Sequence, residues 1–392
     1  MKVCHFITRM IVGGAQENTF LSARGLTEAG HGCVLLSGPS EGRDGSLLAR
    51  MKNPGFKVVE SPLFVREISP WQDLKAVCWL TDYLKREKFD VIHTHSSKAG
   101  ILGRLAGRMA KVPVVVHTIH GLAFGPYDGW LKNQLYIRAE RFAAKRCDRI
   151  YSVAQAMIDQ CLAAGIGYPE QFKVVYSGME LERFLNAVPD PALRAELGIP
   201  ENCRVIGAVA RLFPRKGYED FFPVAAQVVQ ACPETCFLIM GDGPMRAEYE
   251  KTAQSLGIRD KVFFAGLVSP DRIAQYIALT DIVAHFSLKE GLPRVAVQAL
   301  AEAKPVVAYP LDGTPEVVLD GRSGYLTPPG DHAAAAKALI RILRNESERR
   351  TLGEYGRELV RDKFPWRKMS DTLIEDYQEL LSEAKIKNHH ST

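Results

Sequence analysis

The sequence predicts an α/β protein with two successive doubly wound domains, each containing a parallel sheet covered by helices on both faces. Short apolar runs alternate with amphipathic segments along the chain, a turn-rich stretch interrupts this alternation at residues 176–191, and the alternation then starts again. Short apolar runs are typical of buried parallel strands, and the crossover between two such strands is usually a helix. We therefore expect one sheet on each side of the interruption.

The first half contains seven apolar runs. One amphipathic segment between them places six residues on one helical face, which predicts a helix packed on the sheet. These six residues are Trp71, Leu74, Val77, Cys78, Thr81 and Leu84. The expected strands lie at 3–7, 33–37, 57–60, 91–95, 114–117, 149–153 and 173–176.

The interruption has the composition of a domain linker, because it holds Gly178, Pro189 and Pro191. After it, apolar runs recur at 205–210, 236–240, 261–265, 281–285 and 305–308. We expect a first domain at 1–184, a second at 185–365 and a closing helix at 366–385. Ligands of doubly wound domains bind beyond the carboxyl ends of the strands, so two facing domains would form a binding cleft.

Composition excludes several classes of protein. With 46% hydrophobic and 24% charged residues, the chain is neither disordered nor fibrous. No apolar run approaches the roughly 18 residues that span a bilayer, and Arg9 interrupts the first apolar stretch too early for a secretory signal. The eight cysteines form no CxxC pair. We therefore expect a cytoplasmic protein.

The strongest chemical signal follows the run at 281–285. A loop containing Glu290 leads into a predicted helix with Pro293 in its first turn. The free N–H groups of a helix N-terminus bind anions and suit a diphosphate. The alternative is that Glu290 only caps this helix.

Cations and glycines precede two other predicted helices. Arg211, Arg215 and Lys216 lie within six residues, and this density of positive charge beside a helix N-terminus calls for an anion. The alternative is a solvated basic loop. Gly13 and Gly14 separate the first strand from the first helix, where glycines let a backbone approach a phosphate.

Histidines end two strands of the first half. His120 follows the run at 114–117, and either it acts at the ligand site or it is structural. His93 and His95 form an HxH pair, but no third histidine or carboxylate with ligand spacing follows, so we expect no metal site. The chain also lacks an Asp-x-Asp pair, a GxGxxG fingerprint and a GxxxxGK[ST] loop. These absences disfavour a metal-bridged diphosphate and a nicotinamide dehydrogenase.

Taken together, these elements resemble glycosyltransferase family 4, whose members are retaining enzymes of the GT-B fold. The second half carries most of the resemblance, and nearly the full length takes part. The matching motifs are Gly13-Gly14, His120, the loop with Arg211 and Lys216, Gly241-Asp242-Gly243-Pro244, Phe264-Ala265-Gly266, Glu290 with its following helix, and Gly313-Thr314-Pro315-Glu316.

The resemblance implies a role for each matching position. Arg211 and Lys216 would hold the diphosphate of a nucleotide-sugar, and Glu290 would bind hydroxyls of the transferred sugar. His120 would stabilise the transition state beside that sugar. The closing helix would cross back to the first domain. The remaining implied contacts are Gly13 and Gly14 at the diphosphate, Gly266 and Val268 at the base, and Leu292, Pro293 and Arg294 at the phosphate.

One position departs from the family pattern. The family has a second glutamate eight positions after the first, and here that position is Gln298. In the family this acid contacts the ribose. An amide still donates and accepts hydrogen bonds, but it carries no charge and cannot act as a base.

The expected reaction is metal-independent transfer of a hexose or N-acetylhexosamine, without a cofactor, from a nucleotide-sugar to a glycan or lipid-linked acceptor. A UDP-sugar is the favoured donor, because the family resemblance indicates bacterial surface glycan assembly. Two alternatives stay open: a non-transferring GT-B enzyme such as a nucleotide-sugar epimerase, and a sugar-nucleotide-binding module with a decayed site.

The positive charge is concentrated in one block. Residues 93–149 hold ten Lys and Arg against three Asp and Glu. Basic stripes beside aromatic residues can lie on an anionic bilayer, here the inner leaflet. A solvated face with its aromatics in the core is the alternative, and nucleic acid is disfavoured because no motif accompanies the charge. The predicted stripes are Arg104, Arg108 and Lys111, then Arg138, Arg141, Lys145 and Arg149, with Trp130, Leu131, Tyr136 and Phe142 nearby.

Overall fold

The computed structural model describes residues 1–40, 47–50 and 54–389, with the backbone alone at 49–50 and 387–389. The chain divides into two compact units. The first comprises Met1–Met179 and Pro365–Thr392, and the second comprises Glu180–Phe364. Each unit contains one parallel sheet with helices between its strands, so the predicted fold class is confirmed.

The first unit has a seven-stranded sheet in the order β3-β2-β1-β4-β5-β6-β7. Strand order runs outward in both directions from β1 and β4, which places the topological switch point between them. The strands are β1 (Lys2–Arg9), β2 (Gly32–Gly38), β3 (Lys57–Glu60), β4 (Val91–His95), β5 (Val114–Ile119), β6 (Arg149–Ser152) and β7 (Phe172–Val174). The helices are α1 (Gly14–Glu28), α2 (Leu47–Arg50), α3 (Pro70–Glu87), α4 (Ser97–Met109), α5 (Trp130–Ala144) and α6 (Gln155–Ala163).

The second unit has a six-stranded sheet in the order β10-β9-β8-β11-β12-β13, with its switch point between β8 and β11. The strands are β8 (Arg204–Val209), β9 (Thr235–Met240), β10 (Val262–Gly266), β11 (Ile282–His285), β12 (Val306–Ala308) and β13 (Gly324–Leu326). The helices are α7 (Glu182–Leu185), α8 (Pro191–Glu196), α9 (Tyr218–Ala231), α10 (Arg246–Ser255), α11 (Ile273–Ala278), α12 (Arg294–Ala301), α13 (His332–Arg344) and α14 (Glu346–Lys363).

The last helix, α15 (Trp366–His389), returns to the first unit, as predicted. It packs against α1, where a Cβ on Gly25 would lie 2.3 Å from the Cβ of Ser370, so the two helices approach closely at a glycine. Tyr377 is fully buried in the core that α15 shares with α1 and the sheet. Its neighbour Asp376 accepts a hydrogen bond of 2.7 Å from the hydroxyl of Tyr151 on β6.

Side chains alternate between the two faces of the first sheet, as the pleat requires. On β1, Val3 and Ile7 point into the core formed with α1 and α15. Cys4 and Phe6 point into the core formed with α3 and α4. His5 therefore belongs to the face covered by α1 and α15.

The prediction of which residues of α3 are buried is wrong in the first half of this helix. Trp71 is 79% exposed and Leu74 is 55% exposed, whereas Val77 and Leu84 are buried. At 100° per residue, Trp71 lies about 120° around the helix from Val77, and Leu84 lies only about 20° away. Cys78, about 100° away, is exposed as well. The buried face is therefore rotated from the predicted one, away from Trp71 and toward Leu80 and Tyr83, which are buried.

Candidate active site

The switch point of the second sheet brings two predicted residues together. Lys216 lies in the loop after β8, and Glu290 lies in the loop after β11, the neighbouring strand. Parallel neighbours deliver both loops to the same edge of the sheet. The Nζ atom of Lys216 lies 2.7 Å from Oε1 of Glu290, although the residues are 74 positions apart. This ion pair is the centre of the candidate site.

Backbone contacts hold the two loops in register. The N–H of Leu288 donates a 3.0 Å hydrogen bond to the carbonyl of Arg215. Gly217 has a φ of +85°, and a Cβ there would lie 2.3 Å from the carbonyl carbon of Phe286. Both the left-handed conformation and this close approach require glycine. The positions of Lys216 and Glu290 are thus fixed by main-chain geometry.

Electrostatics keep Glu290 ionised. Burial raises the pKa of its carboxyl, but the charge and hydrogen bond of Lys216 and the contributions of His285 and Ser287 together more than offset this effect, so the pKa lies below its usual range. His285 lies 3.9 Å from Oε1, and burial lowers the pKa of this histidine, which is therefore neutral. The backbone N–H of Glu290 donates to Oδ2 of Asp312 at 2.9 Å. The site thus presents the carboxylate of Glu290 paired with the ammonium of Lys216.

The helix after this loop is not capped by Glu290. α12 begins at Arg294, and the residue at its N-cap position is Pro293, whose side chain cannot accept a hydrogen bond. The carboxylate of Glu290 is instead bonded to Lys216. The helix ends at Ala301, and Gln298 is half-buried in its second turn.

Other predicted residues of the second unit lie at the same edge of the sheet. The exposed guanidinium of Arg211, just after β8, lies 5.1 Å from the ring centre of Phe213. Gly266 ends β10 with a φ of +71°, and its carbonyl accepts a 2.9 Å hydrogen bond from Gly241. Val268 is half-buried two residues later, and Leu292 is buried just before α12.

In the first unit, His120 follows β5 directly and lines a cavity of about 280 Å³. Ser96 and Ser97, at the N-terminus of α4, line the same cavity, as does Ala15 in the first turn of α1. Gly14 is the first residue of α1, and Gly13 is its N-cap in an extended conformation with no side-chain cap. The predicted first-unit residues therefore lie at the carboxyl ends of β1 and β5.

His5 was not predicted as a partner of His93 and His95. No third histidine with ligand spacing follows the HxH pair, but one precedes it, on β1. The register pairs His5 with His93 across β1 and β4, and all three rings are fully buried with nitrogen atoms within 4.8 Å of one another. This cluster could have been predicted only by knowing that β1 and β4 are neighbouring strands.

Two protein families match the chain. The family described as glycosyl transferase 4-like domain matches residues 13–178, and the one described as glycosyl transferases group 1 matches residues 189–359. A relative from Escherichia coli, UDP-Gal:alpha-D-GlcNAc-diphosphoundecaprenol alpha-1,3-galactosyltransferase, is 31% identical over 285 residues, which cover 72% of this chain and 73% of the relative. The chain belongs to glycosyltransferase family 4.

Solved structures agree on the fold of this glycosyltransferase. HepE from Anabaena in complex with UDP has a TM-score of 0.82 and 23% identity, over 97% of this chain and 100% of HepE. Sucrose-phosphate synthase from Thermosynechococcus elongatus has a TM-score of 0.83 and 22% identity, over 98% of this chain and 100% of the synthase. The glycosyltransferase therefore has the GT-B fold.

Part of the predicted basic surface of the glycosyltransferase is structural. Arg104 is fully buried, and its Nη2 lies 2.6 Å from Oε2 of Glu140. The remaining pairs are Arg108 with Asp148 at 2.6 Å and Arg149 with Asp376 at 3.5 Å. The prediction that Arg104 belongs to a solvent-facing stripe is therefore wrong, because it is buried beside Glu140. Arg108 and Arg149 are half-buried beside carboxylates on neighbouring elements.

One helix of the glycosyltransferase nevertheless exposes apolar and basic side chains together. Among its described residues, α5 buries only Ala143 and Ala144. Leu131 is 76% exposed and Leu135 is 62% exposed. We call the α5 face the exposed surface formed by Trp130, Leu131, Leu135, Arg138 and Phe142 of this helix and by Lys145, the residue that follows it. The alternative interpretation placed the aromatic residues of this segment in the core. It is wrong for Trp130 and Phe142, which are 71% and 47% exposed. No helix in the described part of the chain could span a bilayer.

Proposed function

We propose that this enzyme is a retaining, metal-independent glycosyltransferase that moves a hexose or N-acetylhexosamine from a UDP-sugar to a lipid-linked or polysaccharide acceptor. The observation that carries the proposal is the Lys216–Glu290 pair at the switch point of the second sheet. It offers a cation for a diphosphate beside a carboxylate for sugar hydroxyls. The Escherichia coli relative, named for UDP-Gal and a diphosphoundecaprenol acceptor, supports the choice of substrates.

The cations of the second unit would stabilise the leaving diphosphate. An ammonium has three N–H donors, so Lys216 can keep its bond to Glu290 and still donate to phosphate oxygens. Arg211 and the N–H groups of Leu292 and Arg294 would add further donors at the start of α12. Fixed positive groups aimed at developing charge lower the barrier to departure. With the absence of an Asp-x-Asp pair, this supports a mechanism without metal.

Four other contacts complete the proposed donor site. Gly266 and Val268 would line the base, and the amide of Gln298 would bind the ribose hydroxyls. Backbone N–H groups after Gly13 and Gly14, in the uncapped first turn of α1, would serve the diphosphate. His120 would contact the transferred sugar.

A groove in the first unit suits the acceptor. It has a volume of about 540 Å³ and lies among β1, the N-terminus of α3, α4 and α5. Arg9 and Arg66 line it, and so do the exposed apolar side chains of Ile68 and Leu135. Lys98 also lines it, paired with Asp73 at 2.6 Å. Cations for a diphosphate beside apolar side chains for a lipid match a diphosphate-linked lipid acceptor.

A transfer assay tests the proposal and separates it from both alternatives. The protein is incubated with UDP-galactose, UDP-glucose or UDP-N-acetylglucosamine, with and without GlcNAc-diphosphoundecaprenol, in the presence of EDTA. We expect a glycosylated lipid with an α linkage, observed by mass spectrometry and NMR, only when the acceptor is present. Conversion of the UDP-sugar without acceptor would indicate an epimerase. Binding without any turnover would indicate a decayed site.

We further propose that the α5 face docks on an anionic membrane and brings the groove to its lipid acceptor. Leu135 belongs to both surfaces, so the groove opens beside the α5 face. Exposed Trp and Leu side chains insert at the interface of a bilayer, and each Lys or Arg near an anionic surface adds roughly 1 kcal/mol.

Vesicle co-sedimentation tests the docking. We expect binding to phosphatidylglycerol-containing vesicles that falls as salt rises, and little binding to phosphatidylcholine alone. Leu131→Ser/Leu135→Ser and Arg138→Gln/Lys145→Gln should each reduce binding, the second pair by about 30-fold if each of its two cations contributes on the order of 1 kcal/mol. The control Arg350→Gln/Arg361→Gln removes two exposed cations from α14. Equal binding of all variants, or equal binding to neutral vesicles, would refute the docking.

A further inference from the structure

Behind His120, two buried imidazoles continue into the sheet. Nε2 of His120 lies 3.0 Å from Nδ1 of His95 at the end of β4. Nε2 of His95 lies 2.9 Å from Nδ1 of His5 on β1. His5 and His95 are fully buried, whereas His120 lines the cavity at the carboxyl ends of the strands. The three rings therefore form a hydrogen-bonded chain that starts at the cavity and ends inside the protein.

Both buried rings are neutral. Burial lowers the pKa of His5 to about 3, and burial, reinforced by the neighbouring histidines, lowers the pKa of His95 well below its usual range. A neutral imidazole has one N–H donor and one acceptor nitrogen. All donors in the chain must consequently point the same way, which leaves two possible arrangements.

The inner end of the chain distinguishes the two arrangements. Nε2 of His5 is buried and has no hydrogen-bond partner among the described residues. If His120 donates from Nε2, then His95 donates to His5 and an N–H of His5 is buried without an acceptor. If the donors run outward, His5 donates to His95, His95 donates to His120, and only a lone pair of His5 is unpaired. Buried orphan N–H groups are the rarer of the two in folded proteins, so the outward arrangement is favoured.

We propose that His95, held by His5, is a positioning residue that fixes His120 in the tautomer protonated at Nδ1. In this tautomer the Nδ1 edge of His120 donates a hydrogen bond, and its Nε2 is engaged as an acceptor by His95. His120 can then donate to an oxygen of the sugar but cannot serve as a base through either nitrogen. Only the catalytic consequence of this inference rests on the proposed function, in which His120 contacts the transferred sugar.

The geometry favours this role over a metal centre at His5, His93 and His95. Convergent lone pairs are needed to coordinate a metal, but His95 stacks on His5 at an interplanar angle of 22° and on His93 at 29°. His93 is engaged elsewhere, since its Nδ1 bonds the hydroxyl of Tyr377 on α15 and its Nε2 lies 2.6 Å from Oγ1 of Thr118. Its ring thus supports the plane of His95 without competing for either of that residue's hydrogen bonds.

NMR of the full-length protein labelled with ¹⁵N-histidine tests the tautomer without any substrate. Long-range ¹H–¹⁵N correlations distinguish a protonated ring nitrogen from a lone-pair nitrogen, and His120→Gln assigns the resonances of His120. We expect His120 to be protonated at Nδ1 and unprotonated at Nε2. The opposite tautomer, a charged ring, or one equivalent of zinc in the purified protein would overturn the inference.

Variants of His95 connect the tautomer to turnover. His95→Phe keeps a ring but removes the donor, and it should release His120 into a tautomer mixture and lower kcat by about tenfold, with little change in the affinity for UDP. In His95→Asn, the side-chain Nδ2 of asparagine takes the place of Nδ1 of the His95 ring and can donate to His120. The Nδ1-protonated form of His120 and most of the activity should therefore return. His31→Phe, remote from the chain, is the control and should resemble the parent. Unaltered His120 resonances in His95→Phe would refute the positioning role even in an active enzyme, whereas absence of transfer by the parent would refute only the proposed function.

Discussion

Replacement of Lys216 by alanine is expected to weaken binding of UDP by about 10- to 100-fold. A hydrogen bond from a charged donor in a partly dry site contributes about 1.5–3 kcal/mol, and each 1.4 kcal/mol is tenfold in affinity. The variant also leaves the half-buried carboxylate of Glu290 without its cation, so that its charge repels the incoming diphosphate. Isothermal titration calorimetry with UDP measures the loss.

A double-mutant cycle separates these two contributions. If part of the loss is repulsion by Glu290, Lys216→Ala/Glu290→Gln should bind UDP more tightly than Lys216→Ala alone. Lys337→Ala, which removes an exposed cation from the middle of α13, is the control and should bind like the parent. Undiminished affinity of Lys216→Ala would exclude this lysine from the diphosphate site.

The alternation of strands and helices could be predicted because parallel strands buried on both faces are continuous apolar runs. The strand β13 escaped prediction because its three residues, Gly324–Leu326, are too few for a recognisable run. The position of Lys216 and Glu290 in loops after strands was also predictable. Their contact was not, because it depends on β8 and β11 being neighbours, and strand order is a property of the whole sheet.

Charge was the least reliable signal. A count of lysines and arginines in residues 93–149 gives a large positive excess, but a count does not show which of them meet carboxylates. Arg104 faces Glu140, which is 36 residues away in the sequence, and Arg149 faces Asp376 on the last helix. The chain of His120, His95 and His5 was not predicted from the sequence for the same reason. His5 and His95 are brought together only by the pairing of β1 with β4.

Replacement of Glu290 by glutamine is expected to lower kcat on the order of 100-fold, equivalent to about 2.7 kcal/mol of transition-state stabilisation. Glutamine has nearly the same shape, so the variant tests the negative charge rather than packing. A carboxylate accepts hydrogen bonds from hydroxyls through both oxygens, whereas the amide has only one acceptor oxygen. A charged acceptor also stabilises positive charge that develops on the sugar as the diphosphate leaves. Steady-state transfer to the lipid acceptor measures kcat and KM separately.

The affinity for UDP distinguishes this role from a general loss of structure. Glu290→Gln frees Lys216 from its ion pair, so UDP should bind at least as tightly as to the parent, in contrast to the weaker binding of Lys216→Ala. Gln298→Glu is the matched control on α12, because it restores the family's second glutamate and should remain active. A Glu290→Gln enzyme with full turnover would remove this carboxylate from the proposed mechanism. Weaker UDP binding with kcat unchanged would instead assign Glu290 to binding of the nucleotide.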